Sequence, residues 1–174
     1  MADIDNQPQQ NLSGAEAGKK IQEIAKDTGA CMFQTGFGSF PGDTRPMAIQ
    51  EVDENGTFWF ISSTESEKNR DLASDPRVVL TCQNEGKTAY LAVTGQGRVH
   101  TDRALIEKYW TSFANAWFES KDDPRVSVIQ VTPTEGHYWE TNSGKIVAFA
   151  KMSFAAVTGA QVDDGGVSGD LKPR

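Results

Sequence analysis

Hydroxyl groups and a lysine gather in residues 60–68, which read Phe-Ile-Ser-Ser-Thr-Glu-Ser-Glu-Lys. An apolar strand pattern ends in this segment and a helical pattern begins, so free backbone N–H groups lie beside the Ser62 and Ser66 hydroxyls and the Lys68 ammonium. Hydrogen bonding and the helix dipole favour a phosphate at such a point. A capped surface helix fits the same pattern, and the two glutamates favour that alternative because acids at a helix start oppose an anion.

Arg45 is the second cation whose position fits phosphate recognition. It follows a Gly- and Pro-rich loop and opens a predicted strand over residues 45–52. An arginine at the start of a buried strand can form a forked pair with a phosphate or with the electron-rich edge of a ring. A solvated arginine at a strand end is the commoner case, so the pattern alone leaves both alternatives open.

Alternating apolar and polar residues predict that strands position these groups. Further glycines at 95 and 97 predict a bulge or bend in one of the longer strands. The predicted strands cover residues 31–37, 45–52, 57–62, 77–83, 88–100, 126–132 and 138–140. Consecutive strands with short interposed helices, and no regular β-α alternation, indicate an antiparallel barrel of the α+β class.

Helical spacing predicts four helices between these strands. The first is expected to begin at Ser13 and the second at Thr64, each with a glutamate three residues later that completes a capping box. The third opens at Asp102 and is closed by Pro124, and the last covers residues 146–157.

The chain is predicted to hold one domain. It has 174 residues, 37% of them hydrophobic and 24% charged, a balance typical of a folded globular protein. The Gln- and Asn-rich residues 1–11 and the Gly- and Asp-rich residues 161–174 are expected to be flexible tails. The folded domain is therefore expected over residues 12–160.

Charge and composition exclude several classes of function. A formal net charge of −7 opposes nucleic acid as the main partner and opposes attachment to anionic membranes. Cys31 and Cys82 lie in predicted strands and are expected to be buried, reduced thiols, and with only His100 and His137 beside them no metal site is expected. No apolar run approaches a membrane span and no signal peptide core is present, which predicts a cytoplasmic protein.

The order of these blocks resembles the FMN-binding split barrels of the pyridoxamine phosphate oxidase family. Residues 45–50, Arg-Pro-Met-Ala-Ile-Gln, are similar to the family's Arg-x-Val-Leu-Leu-Lys. Residues 60–68 are similar to its Phe-Tyr-Thr-Asn-x-x-Ser-Arg-Lys, and Asp-Pro-Arg-Val at 75–78 follows as it does there. Likeness to the general stress branch of the family lies in residues 102–110, 117–118, 123–124, 133–139 and 157–159.

The resemblance implies an antiparallel Greek-key split β-barrel with short flanking helices. It also implies a homodimer with one flavin in each interface, which would cover sheet edges and apolar faces left open by a single barrel. FMN is the implied cofactor, with FAD as the alternative. Met47 and Ile61 would lie along the flavin through backbone groups, and Trp139 would reach it from the other subunit.

The resemblance further implies that Arg45, Ser62 and Lys68 contact the FMN phosphate while Ser66 supports the turn. It identifies no catalytic side chain, because the redox chemistry would be the flavin's own. The expected function is an FMN-binding general stress-type protein, acting as a flavin-dependent oxidoreductase on an unidentified substrate. The alternatives are a non-catalytic flavin carrier or sensor, and a dimeric stress protein that has lost flavin binding.

Three departures from the oxidases alter the expected chemistry. Gln50 stands where they have lysine and Glu67 where they have arginine, so two cations are missing near the phosphate and weak FMN binding is expected. At the spacing where the oxidases hold pyridoxamine phosphate with Arg-x-His, residues 145–147 are Lys-Ile-Val. Since valine forms no side-chain hydrogen bond, oxidation of that vitamin is not expected.

Overall fold

Strands form most of the structure, as the sequence alternation predicts. The computed structural model describes residues 8–38, 42–141 and 166–173. Its strands are β1 Leu12–Ser13, β2 Ala30–Thr35, β3 Asp43–Ala48, β4 Glu51–Val52, β5 Phe58–Ser63, β6 Arg77–Asn84, β7 Ala89–His100, β8 Val126–Thr141 and β9 Gly166–Lys172. Its helices are α1 Gly14–Ala25, α2 Glu67–Ser74 and α3 Arg103–Tyr109, followed by a 3₁₀ helix at Ser112–Ala116.

All of these strands belong to one sheet, which follows the order β1-β9-β8-β7-β6-β2-β3, with β5 paired to β8 and β4 paired to β5. Neighbouring strands are antiparallel except for the parallel pair β1 and β9. The first half of β8 pairs with β5 and its second half pairs with β9. Within the described ranges no ladder joins β3 to β5, so the sheet curves without closing, and the predicted α+β split barrel is confirmed.

Strand β5 lies between two apolar clusters. Its alternation buries Phe58 and Phe60 completely on one side, where Phe60 meets Phe33 edge-on with ring centroids 5.2 Å apart. On its other side Trp59 stacks on Tyr109 of α3 at 4.7 Å, and Ile61 packs into the same cluster. Burial on both sides fixes the orientation of β5 and therefore the position of the serines at its end.

The predicted strand over 45–52 is two strands, since the chain changes hydrogen-bond partners between them. The Ile49 N–H donates to Gly29 O and the Gln50 N–H donates to Trp59 O, each at 2.9 Å. The strands predicted on either side of Pro133 are, in contrast, the single strand β8. A register shift lies opposite Gly95, where an added Cβ would meet a Thr132 backbone oxygen at 2.6 Å, so the predicted bulge is confirmed.

Several helix predictions were wrong in detail. Ser13 does precede α1, but neither it nor Ser66, the residue before α2, makes a side-chain capping bond. The long helix predicted after Asp102 ends at Tyr109, because Trp110 and Thr111 are extended. This break redirects the chain so that Phe118 reaches the same cluster as Ile106. The helix predicted over 146–157 lies outside the described residues.

Parts of both segments predicted as tails pair with the sheet. Gly166–Lys172 forms β9, which pairs with both β8 and β1. Gln10 donates its N–H to Ser168 O at 2.8 Å and accepts the Tyr138 hydroxyl on its own carbonyl at 2.9 Å. The pattern missed this strand because its few apolar residues, such as Leu171, form a strand only through partners distant in the sequence.

The buried position of Leu171 provides a test of this C-terminal strand. Leu171 is fully buried in the main core, whereas its neighbour Lys172 is exposed. Leu171→Ala should lower the free energy of unfolding by about 2–5 kcal/mol through lost burial and a residual cavity. Urea unfolding followed by circular dichroism measures this loss, with Lys172→Ala as the control. Equal stabilities of the two variants would show that β9 does not contribute to the core.

Candidate functional site

A cavity of about 550 Å³ opens beside β3, the end of β5 and the 3₁₀ helix. Its volume falls in the range of small-molecule sites. The four predicted cofactor residues that line it are Met47, Ile61, Ser62 and Lys68. The predicted phosphate region and the predicted flavin-facing strand residues are therefore parts of one cavity.

Positive charge lines part of this cavity. Lys68 and Arg125 lie there with Ser62 and Ser63, and no carboxylate is among the described lining residues. The whole chain has a net charge of −7, so an anion meets a local charge opposite to that of the protein. Such an arrangement of hydroxyls, an ammonium and a guanidinium suits a phosphate or another small oxyanion.

Lys68 is held in an environment that disfavours its charge. Burial lowers the pKa of Lys68, and the nearby positive charge of Arg45 lowers it further. Arg45 itself lies outside the lining, with its guanidinium donating to Thr35 Oγ1 at 2.6 Å and pairing with Asp43. A bound anion would relieve the repulsion between the two cations.

A buried hydrogen-bond network fixes the serines at the end of β5. Ser62 Oγ donates to Asn69 Oδ1 at 2.8 Å, and Asn69 Nδ2 donates to Ser127 Oγ on β8 at 2.8 Å. Ser66 lies in the turn before α2, where its hydroxyl is 2.7 Å from Ser63 O. Sequence reasoning missed Asn69, although a polar residue three positions after Ser66 on a buried helix face was a usable signal.

Two exposed aromatic residues also line the cavity. Phe113 and Trp117 meet edge-on with ring centroids 4.9 Å apart, and they are 59% and 62% exposed. Exposed large apolar groups at a cavity mouth mark a surface that receives a ligand or a partner. Both lie within the range predicted as one helix from Asp102 to Pro124, which the extended residues Trp110 and Thr111 interrupt.

Gln50 and Glu67, which stand where the oxidases have cations, lie in different surroundings. Gln50 lines the cavity and accepts the Thr111 hydroxyl on Oε1 at 3.3 Å. Glu67 is exposed at the first position of α2 and is not part of the lining. Of the two residues, only the uncharged glutamine therefore borders the cavity.

Trp139 lies away from this cavity in its own chain. It faces Tyr90 across β7 and β8, and its ring centroid is 4.5 Å from that of His137. His137 bonds Asp170 at 2.8 Å, and His100 bonds Gln130 at 3.0 Å, so both imidazoles have partners outside the cavity.

The cysteines are free thiols, as predicted, and both are buried. A hydrogen bond with Cys82 raises the pKa of Cys31, and burial raises it further, so the thiol form is favoured.

In the described part of the chain, no helix has the length and apolar character to cross a membrane.

A family model described as pyridoxamine 5′-phosphate oxidase like matches residues 16–163. The chain belongs to this family. General stress protein 26 of Bacillus subtilis is 28% identical over 83 residues, covering 45% of this chain and 59% of that protein. The chain spans about 60% of the length of the curated relatives that it matches. These matches agree with the general stress branch of the family.

Solved structures show the same fold. A protein assigned as general stress protein 26 from Jannaschia sp. CCS1 matches with a TM-score of 0.73 at 22% identity, over 91% of this chain and 98% of that one. The general stress FMN/FAD binding protein of Xanthomonas citri matches with a TM-score of 0.61 at 23% identity, over 74% of this chain and 90% of that one. At these identities the likeness establishes the architecture.

The role of Asn69 in holding the site serines can be tested directly. Asn69→Ala removes the partner of the Ser62 hydroxyl and the donor to Ser127, and it should cost about 1–3 kcal/mol of unfolding free energy because buried polar groups lose their bonds. Asn55→Ala is the control, since Asn55 is exposed and bonds Asp53 through its backbone. Urea unfolding measures the free energy of unfolding of both variants. If Asn69→Ala lost no more stability than Asn55→Ala, the hydrogen-bond network would be contradicted.

Proposed function

We propose that the protein binds FMN in the cavity beside β3 and β5. The observation that carries this proposal is the composition of the cavity lining, whose described residues include two cations, two exposed aromatic rings and no carboxylate, in an acidic chain. Such a lining suits a phosphate ester that carries a flat apolar ring. Membership of the family and the FMN/FAD-binding protein of similar fold support the same cofactor.

The lining has residues suited to each part of FMN. The phosphate would be held by Ser62, Ser63 and Lys68, with the positive charge of Arg45 close to Lys68. The ring would lie along Met47 and Ile61. Bound flavin supplies one- and two-electron redox chemistry. The protein's residues bind it and exclude water from part of its surface.

We propose that the reaction is a flavin-dependent oxidation or reduction in which the cofactor provides the reactive atoms. Lys68 and Arg125 are the only ionisable groups among the described lining residues, so no histidine, cysteine or carboxylate is available there as a general acid or base. This observation also favours a second candidate, a non-catalytic flavin carrier or sensor. Turnover of FMN-loaded protein with a reduced nicotinamide donor separates the two.

The cofactor site is proposed to lie in a homodimer. Met32 and Tyr90, each 45% exposed, and the partly exposed Trp139 are large side chains on strands β2, β7 and β8. Exposed apolar residues on a sheet favour contact with a second surface. A second copy of this chain would cover them and bring its Trp139 toward the cofactor of the first.

Lys68→Ala tests the phosphate end of the proposed site. Loss of one charge-assisted hydrogen bond should weaken FMN binding about tenfold or more and leave riboflavin binding unchanged, because riboflavin lacks the phosphate. Titration followed by flavin fluorescence measures both affinities, with Lys26→Ala on the exposed end of α1 as the control.

The lowered pKa of Lys68 adds a pH dependence to this test. The preference for FMN over riboflavin should fall as the pH rises through that pKa, at a lower pH than for an ordinary lysine, because the neutral amine no longer attracts the phosphate. Equal FMN affinity of Lys68→Ala and the unaltered protein would remove Lys68 from the site.

Tyr90→Glu tests the proposed dimer. A charge placed on the apolar sheet face should shift the molar mass measured by light scattering from dimer to monomer and weaken FMN binding, since the partner's Trp139 would be lost. Thr101→Glu, which adds the same charge at an exposed position after β7, is the control. A monomeric unaltered protein, or a dimeric Tyr90→Glu variant, would contradict the proposed interface.

A further inference from the structure

We propose that Arg125 is a second phosphate-binding cation of the cavity, acting with Lys68 on the terminal phosphate monoester of the ligand. This inference rests on the proposed FMN function and assigns a role to a residue that sequence reasoning left without one. Arg125 lines the same cavity as Ser62, Ser63 and Lys68.

The backbone fixes Arg125 beside the end of β5. The Thr64 N–H donates to Arg125 O at 2.8 Å, and the next residue, Val126, pairs with Ser63 in the ladder between β5 and β8. The pairing of β5 with β8 therefore brings the serines and the arginine to the same cavity.

The guanidinium is oriented and keeps donors available. Its Nε donates to Asp123 Oδ1 at 3.1 Å and its Nη2 donates to Asp123 Oδ2 at 2.7 Å. An arginine has five N–H groups, so both Nη1 hydrogens and one Nη2 hydrogen remain, and no described residue accepts them. The Arg125 side chain is 46% exposed, which leaves these donors accessible.

Asp123 orients the arginine without presenting negative charge to the cavity. Its side chain is only 7% exposed, and it is absent from the cavity lining. Hydrogen bonds from Arg125 hold the pKa of Asp123 at about 2, so the carboxylate stays ionised and the pair stays formed across the physiological range. The Nη hydrogens of Arg125 that do not bond Asp123 provide directed donors, and Lys68 provides a point charge. Together these groups suit the dianion of a phosphate monoester.

The chain contains a matched copy of this motif that lies elsewhere. Residues 75–78 and 123–126 both read Asp-Pro-Arg-Val. Arg77 makes the same fork, with Nε 2.9 Å from Asp75 Oδ1 and Nη2 2.6 Å from Asp75 Oδ2. Arg77 does not line the cavity, and its guanidinium instead lies 5.5 Å from the Phe37 ring centroid. The fork is thus shared, and a place in the cavity lining distinguishes Arg125 from Arg77.

The experiment compares Arg125→Ala, Arg125→Lys and Arg77→Ala in the full-length protein. Each is titrated with FMN and with riboflavin, and flavin fluorescence gives the affinities. We expect Arg125→Ala to lower FMN affinity about tenfold or more and to leave riboflavin affinity unchanged. Arg125→Lys should recover part of the loss, and Arg77→Ala should bind both ligands as the unaltered protein does.

The outcomes separate this inference from the proposed function. If the unaltered protein and Arg125→Ala bind FMN equally well, the role of Arg125 is overturned and the FMN site stands. If the unaltered protein does not bind FMN, the proposed function fails and this inference fails with it. A parallel loss of FMN and riboflavin affinity in Arg125→Ala would assign the arginine a structural role and overturn the inference. Urea unfolding of both alanine variants measures the cost of losing the fork itself.

Discussion

The ladder between β5 and the first half of β8 is the interaction on which the site depends. It pairs residues 58–63 with 126–131, and it lies between the main core and the cluster that contains α3. Because Phe58 and Phe60 are fully buried on one side, the strand cannot slip by one residue without exposing them. The same register sets Ser62 opposite Ser127 and Ser63 opposite Val126, which brings Arg125 to the cavity.

The cations near the site differ in whether a carboxylate neutralises them. Arg45, Arg77 and Arg125 each pair with a neighbouring aspartate, whereas no carboxylate pairs with Lys68 in the described residues. Burying an ammonium without a counter-charge opposes folding unless the group serves another purpose. The most disfavoured cation is therefore the one best placed to gain from an arriving anion.

Local patterns predicted those parts of the molecule that depend on neighbours in the sequence. The alternation in β2, the turn into α2 and the grouping of Ser62 with Lys68 follow from period and residue type. The role proposed for Arg125 could not be assigned in this way, because it arises where β8 meets the end of β5. Asn69 gave a local signal as a polar residue on a buried helix face, but its partner Ser127 lies on the distant strand β8. The glycine-rich β9 was missed for the same reason, since its stability comes from β8 and from the N-terminal segment.

Strands β1 and β9 place distant parts of the chain side by side, and this has a consequence for synthesis. During translation β1 has no strand partner until residues 166–172 have left the ribosome, because its only ladder in the described structure is with β9. Until then the second half of β8 also lacks its pairing with β9. Unpaired sheet edges are sites of intermolecular pairing in incomplete chains. The nascent chain therefore exposes an unpaired strand edge until β9 is made, and termination just before β9 would leave that edge open.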